Sequence, residues 1–195
     1  MINLTRLQIS ATTLQRALNW WPPFMGAGIR VQRISPDFRR ARVVMRLTWY
    51  NRNFVGTHFG GSLYGMCDPF YMLMLMHILG PREFWVWDLA ASIRYKRPGK
   101  GDVYAEFDVS DELVEELRRL EPNEKKIVEL PVNVYHAMDG SSDNVDNEEN
   151  GSGNDETNLV ASLTKTIYIK RKPLKSNGSD LATDTSAADP PRSKL

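Results

Sequence analysis

The stretch from Asn53 to Gly80 constrains the fold more than any other. A polar loop carrying Asn53, Gly56, His58, Gly60 and Gly61 leads directly into Leu63–Leu79, an almost wholly apolar run holding one carboxylate, Asp68, and one imidazole, His77. A helix that is apolar all round belongs inside a core or a membrane. From Pro69 to Leu79 the run is too short to cross a bilayer. It is therefore expected to be a core helix that a sheet must wrap, continuous from the glycines and bent at Pro69.

The start of that helix is where chemistry can sit. First-turn amides have no partner within the helix, and the positive end of the dipole adds to them. Gly60 and Gly61 leave no side chain in the way of an incoming oxygen, so the site can polarise a carbonyl. The same residues also suit a plain helix entry capped by Ser62, or close helix–strand packing. Asp68 follows Gly61 by seven residues. That is about two turns, or roughly 10 Å along the axis, too far to act on a carbonyl held at its own helix start. A second subunit related by a two-fold axis is the expected donor. Asp68-Pro69 also reads as an N-cap followed by an N1 proline.

Around this centre the chain alternates between short elements. Thr12–Trp21 has apolar residues at helical spacing behind a threonine cap, and Pro22-Pro23 ends it. Ile29–Ile34 and Arg39–Trp49 read as a hairpin. After Gly80-Pro81, the run Phe84–Lys96 alternates, with Trp85, Trp87, Leu89, Ala91, Ile93 and Tyr95 on one face. Asp102–Asp108 is a further strand, Ser110–Leu120 a capped surface helix, and Lys126–Ala137 a strand in which Pro131 marks an edge or bulge. Leu159–Lys170 is the last strand. The expected class is α+β: an antiparallel sheet of about six strands around one long apolar central helix, the hotdog architecture. Residues 1–172 would form this domain. Within it, 139–158 is acidic and rich in Ser, Gly and Asn, a composition that cannot bury a core. Residues 173–195 read as a solvated tail.

Charge excludes some partners. Formal net charge is +1, but 139–158 holds seven acids and no base, leaving 25 bases against 17 acids elsewhere. That excess suits a phosphate-bearing ligand, and no basic stripe interleaved with aromatics points to nucleic acid. Cys67 is the only cysteine, and His58, His77 and His136 are scattered, so neither a disulfide framework nor a metal site is expected. No membrane span or signal segment is read. The chain ends in Ser193-Lys194-Leu195, the address read by the peroxisomal import receptor.

The segment Val55-Gly-Thr-His-Phe-Gly-Gly-Ser-Leu-Tyr-Gly-Met-Cys-Asp-Pro69 resembles the helix entry of hotdog thioesterases of the phenylacetyl-CoA type. Ile93-Arg-Tyr-Lys-Arg-Pro-Gly-Lys-Gly-Asp102 is similar to the strand and turn that follow it there. A closer likeness is to an uncharacterised hotdog subfamily with Phe-Gly-Gly, Asp-Pro and a Trp-Asp pair, here Trp87-Asp88. The resemblance implies that Asp68 acts as base or nucleophile on the neighbouring subunit's substrate. It implies that Gly60 or Gly61 donates to the thioester oxygen and that Asn53 positions it. The family's histidine is displaced: Phe59 stands in its place and His58 one residue earlier. Arg94, Lys96, Arg97 and Lys100 are candidates for the coenzyme A phosphates, with a solvated strand end as the alternative. The methionines of the central run are deformable core that can also line an acyl tunnel.

Two functions follow as expectations. One is an acyl-CoA thioester hydrolase of the peroxisome, a homodimer or dimer of dimers, needing no cofactor beyond the coenzyme A of its substrate. The other is a hotdog protein that binds acyl-CoA or lipid without hydrolysing it.

Overall fold

Phe70–Leu79 (α4) is the buried helix: Phe70, Tyr71, Met74, Leu75, Met76, His77 and Leu79 are all buried. The structure, a computed structural model, describes residues 9–137 and 156–173. Residues 138–155, which include most of the acidic segment, and the tail beyond 173, including Ser193-Lys194-Leu195, lie outside the described residues. Among the described residues no helix is long and apolar enough to cross a membrane.

Six strands form one sheet: Ile29–Ile34 (β1), Arg40–Met45 (β2), Phe84–Tyr95 (β3), Val103–Asp108 (β4), Lys125–His136 (β5) and Leu159–Arg171 (β6). Their order is β1-β2-β4-β5-β6-β3, and every neighbouring pair is antiparallel. α4 packs against β3 and β6. This is the expected hotdog fold. Phe107 of β4 is 1% exposed, with ring centroids 4.8 Å from Phe70 and 5.3 Å from Tyr71, so it joins sheet to helix at the core's centre. Apolar burial of this kind is the main favourable term in folding.

Several local expectations are corrected. Ser10 rather than a threonine caps the first helix, Ala11–Asn19 (α1), by accepting from the Thr13 amide. Pro22-Pro23 does not merely end it but opens a second short helix, Pro22–Ala27 (α2), because proline has no N–H to leave unsatisfied at a helix start. β2 stops at Met45 because the Asn51 side chain donates to the carbonyls of Arg46 and Ala27 and turns the chain away. Pro131 lies where β5 pairs with β6 only, β4 having reached no further than Val134, so the expected local edge is present. Ser110 caps Asp111–Arg118 (α5) as read.

The central helix is not continuous. Gly60–Gly65 (α3) and α4 are separated at Met66–Pro69. Pro69 has no N–H to extend the ladder, and the amides of Cys67 and Asp68 close tighter three-residue turns onto Tyr64 and Gly65. Asp68 does not cap α4 either; Pro69 holds that position, and no side chain bonds to the helix start.

Candidate functional site

The break between α3 and α4 frees Asp68 from the helical ladder, and its side chain reaches β6. Its Oδ1 accepts a hydrogen bond from Lys165 Nζ at 2.7 Å. Lys165 sits at an inward position of β6, opposite Ala91 of β3 and Leu130 of β5. Its side chain is 1% exposed, that of Asp68 45%. Asp88 of β3 completes the group, its Oδ1 lying 3.0 Å from the same ammonium as an ion pair. Burial by itself lowers the lysine's pKa. The hydrogen bond to Asp68 and the charge of Asp88 outweigh that, and Lys165 is held above its ordinary range. Asp88 is pushed up by burial first, partly offset by Lys165.

A β-bulge makes this meeting possible. The expected alternation of β3 slips between Asp88 and Ala90. Before it, Phe84, Val86 and Asp88 face the helix; after it, Ala91, Ile93 and Tyr95 share the helix face with Lys165 and Leu163. The single uninterrupted face expected for Trp85 through Tyr95 is therefore two half-faces.

The second part of the site is a cleft of about 570 Å³. The loop before α3 and the turn after β3 build it: Asn53, Val55, His58 and Gly60 on one side, Tyr95, Lys96, Arg97 and Lys100 on the other. A cleft of this size takes a medium-sized ligand. Asp68, Gly61 and Arg94 are not among its lining residues. Arg94 points to the opposite face of β3, opposite Ser162.

Inside the cleft several polar groups are already engaged. Asn53 accepts from the Val55 and Thr57 amides and donates to Thr57 Oγ1 and the His58 carbonyl, so its amide holds the loop in shape. His58 is 3% exposed and donates from Nε2 to the Gly101 carbonyl at 2.9 Å. A carbonyl only accepts, so Nε2 carries the proton and Nδ1 is bare. Burial keeps the ring's pKa below its ordinary value. His58 is thus a neutral strut between the loop and the turn. Arg97 donates to the carbonyls of Glu156 and Leu159, which leaves Lys96 and Lys100 as the cations directed at the cleft by position.

An added Cβ at either glycine would meet an exposed aromatic ring, which would have to swing aside. A Cβ on Gly60 would lie 2.9 Å from the Tyr95 hydroxyl, which donates to the Gly60 carbonyl. A Cβ on Gly61 would lie 2.5 Å from Phe59 Cε1, because that ring lies across the helix entry. Gly60 faces the cleft and Gly61 sits beneath Phe59. Cys67 is fully buried, and burial pushes its thiol far up, so it is no nucleophile. His77 stacks on Phe38 at 4.3 Å and bonds the Leu73 carbonyl, which keeps it in the core. Among the described residues no cluster of His, Cys, Asp and Glu is arranged to hold a metal.

Lys165 and Tyr95 are the site residues that reading the sequence did not single out. For Lys165 a signal existed: in Leu163-Thr-Lys-Thr-Ile-Tyr-Ile169 it occupies an inward beat of the alternation, where a charge needs a partner.

A family profile described as "Domain of unknown function (DUF4442)" matches residues 10–146, from the first helix through the last residues of β5 and beyond. The chain belongs to the DUF4442 family. Solved structures of similar fold are known. A Pseudomonas aeruginosa protein of unknown function, described as "Probable Thioesterase", is 18% identical, with a TM-score of 0.56 over 86% of this chain and 91% of that one. A Haemophilus influenzae thioesterase is 14% identical, with a TM-score of 0.55 over 89% and 98%. A thioesterase family protein from Silicibacter pomeroyi is 12% identical, with a TM-score of 0.54 over 82% and 96%. At such identities the likeness is one of fold, in keeping with the hotdog architecture of the sheet and its central helix. No curated protein sequence matches this chain.

Proposed function

We propose that this protein is an acyl-CoA thioester hydrolase. The observation that carries the reading is a pair of separate, complementary half-sites on one chain. A cleft is floored by Gly60 and edged by Lys96 and Lys100, and an exposed carboxylate, Asp68, lies outside it beneath the edge strand β3. Neither half is complete alone.

A second copy joins them. β3 ends the sheet, and Trp87, Leu89, Ser92 and Tyr95 are exposed along it. An unpaired strand edge is a template for another strand. Two β3 strands paired antiparallel about Ser92, with the bulged Leu89 left out of the ladder, set Asp88 of each copy against Tyr95 of the other. The acid group of one protomer then abuts the cleft mouth of its twin. The thioester carbonyl docks at the Gly60 amide, with Lys96 and Lys100 toward the coenzyme A phosphates. Asp68 of the partner takes a proton from water, the water oxygen bonds to the carbonyl carbon, and the carbon–sulfur bond breaks. Coenzyme A leaves with its sulfur protonated, and the acid is released. The names given to the structural relatives agree with this chemistry. The terminal Ser193-Lys194-Leu195 supports import into the peroxisome, where acyl-CoAs are processed.

The second reading, acyl-CoA or lipid binding without turnover, is favoured by the engaged state of Asn53 and His58. Thiol release from a panel of acyl-CoAs separates the two. Turnover that is lost in Asp68→Asn while a non-hydrolysable thioether analogue still binds supports hydrolysis. Binding with no turnover by the unaltered protein refutes it.

A further inference from the structure

Lys165 has no role in the chemistry described so far, yet it is the most deeply buried charge in the described chain. Lysine is almost never fully buried unless it is paired. Here the ammonium donates to Asp68 Oδ1 at 2.7 Å and meets Asp88 Oδ1 at 3.0 Å. The aromatic face of Tyr64 lies 5.9 Å away on α3. The other neighbours are Cys67, which stays a neutral thiol, and Leu130, apolar on β5. No further charged group faces the ammonium from these elements. The lysine is thus held from two elements at once and touches Asp68 through one oxygen only.

We infer that Lys165 is the positioning residue for Asp68. It anchors Oδ1 so that Oδ2 alone is presented to water, and Asp88 in turn fixes the lysine. The inference rests on the hydrolase reading and adds a component to it. A carboxylate hung on a flexible surface would sample many orientations; one tethered to a buried ammonium on a sheet samples few. That restraint is the kind of preorganisation by which a base becomes effective. The neutralising charge also matters, because Asp68 and Asp88 share the site. Without the lysine the two acids face one another, and one of them takes up a proton.

The experiment compares Lys165→Met, Lys165→Arg and Asp88→Asn with the unaltered protein. Hydrolysis of an acyl-CoA is followed over pH 5–9, together with affinity for its thioether analogue. Lys165→Met is expected to lose on the order of 100-fold in kcat, the usual size of a general-base contribution, with analogue affinity little changed. The acidic limb of its residual rate moves to higher pH. Lys165→Arg restores most of the rate. Asp88→Asn keeps the Lys165–Asp68 pair and loses roughly tenfold, which tests the inference even if Lys165→Met fails to fold. A Lys165→Met protein within about threefold of the unaltered rate, with an unmoved acidic limb, overturns the positioning role and leaves the hydrolase reading standing. Absence of turnover by the unaltered protein overturns both.

Discussion

Replacing Lys165 by methionine should give this fold a pH-dependent stability that needs no enzymatic assay to detect. In the native site Asp68 Oδ1 and Asp88 Oδ1 lie 2.7 and 3.0 Å from one ammonium, so they are at most 5.7 Å apart. With the lysine gone, two carboxylates at that separation repel by up to about 3 kcal/mol at an effective dielectric of 20, cut to about 1–2 kcal/mol by solvent at Asp68, whose side chain is 45% exposed. The pair then shares one proton and holds it to higher pH than a lone carboxylate does. The folded variant therefore holds a proton that its unfolded chain releases. A group raised in the folded state stabilises below its unfolded value and loses that contribution as pH rises through the folded one. Relative to the unaltered protein, Lys165→Met should lose about 1–2 kcal/mol as pH rises from about 4 toward neutrality, or roughly 2–8 °C in melting temperature for a chain of this size. Thermal melts at half-unit pH steps measure it. Melting curves that run parallel for the two proteins from pH 4 to 7 would refute the shared-lysine electrostatics.

Three further outcomes follow from the same structure. Phe107→Ala removes the ring between Phe70 and Tyr71 and should cost about 3–5 kcal/mol in urea unfolding; a loss under 1 kcal/mol would show that the core does not centre there. Tyr71→Phe deletes the 2.7 Å bond to the Pro131 carbonyl and should cost about 1 kcal/mol. Burial raises the Tyr71 phenol to about 12, so the unaltered protein, but not the variant, gains an alkaline loss of stability as pH climbs from 10 toward 12. Because burial lowers His58, charging it opposes folding. Below pH 6.5 the unaltered protein should lose stability that His58→Asn retains, and indistinguishable slopes between pH 7 and 5.5 would contradict the neutral-strut assignment.

The sequence by itself determined the fold class and most of its elements. The apolar run after the glycines had to be buried. Ile29–Ile34, Val103–Asp108 and the inward residues of Leu159–Arg171 alternate at the period of a strand. It also pointed to one loop, and Asn53, His58 and Gly60 line one cleft with Lys96, Arg97 and Lys100. What it did not contain was the state of those groups. Whether Asn53 and His58 are free or engaged depends on carbonyls brought in from Gly101 and from within the loop, and hydrogen bonds between distant segments leave no periodic trace. The bulge after Asp88 was likewise decided by packing, whereas the break at Met66–Pro69 starts from the proline's missing N–H. Both turn a carboxylate toward Lys165, some 97 residues from Asp68 in the chain. A lysine on a strand reads as solvent-facing from composition; only closure of the sheet over the helix makes it a buried cation with two acids to hold.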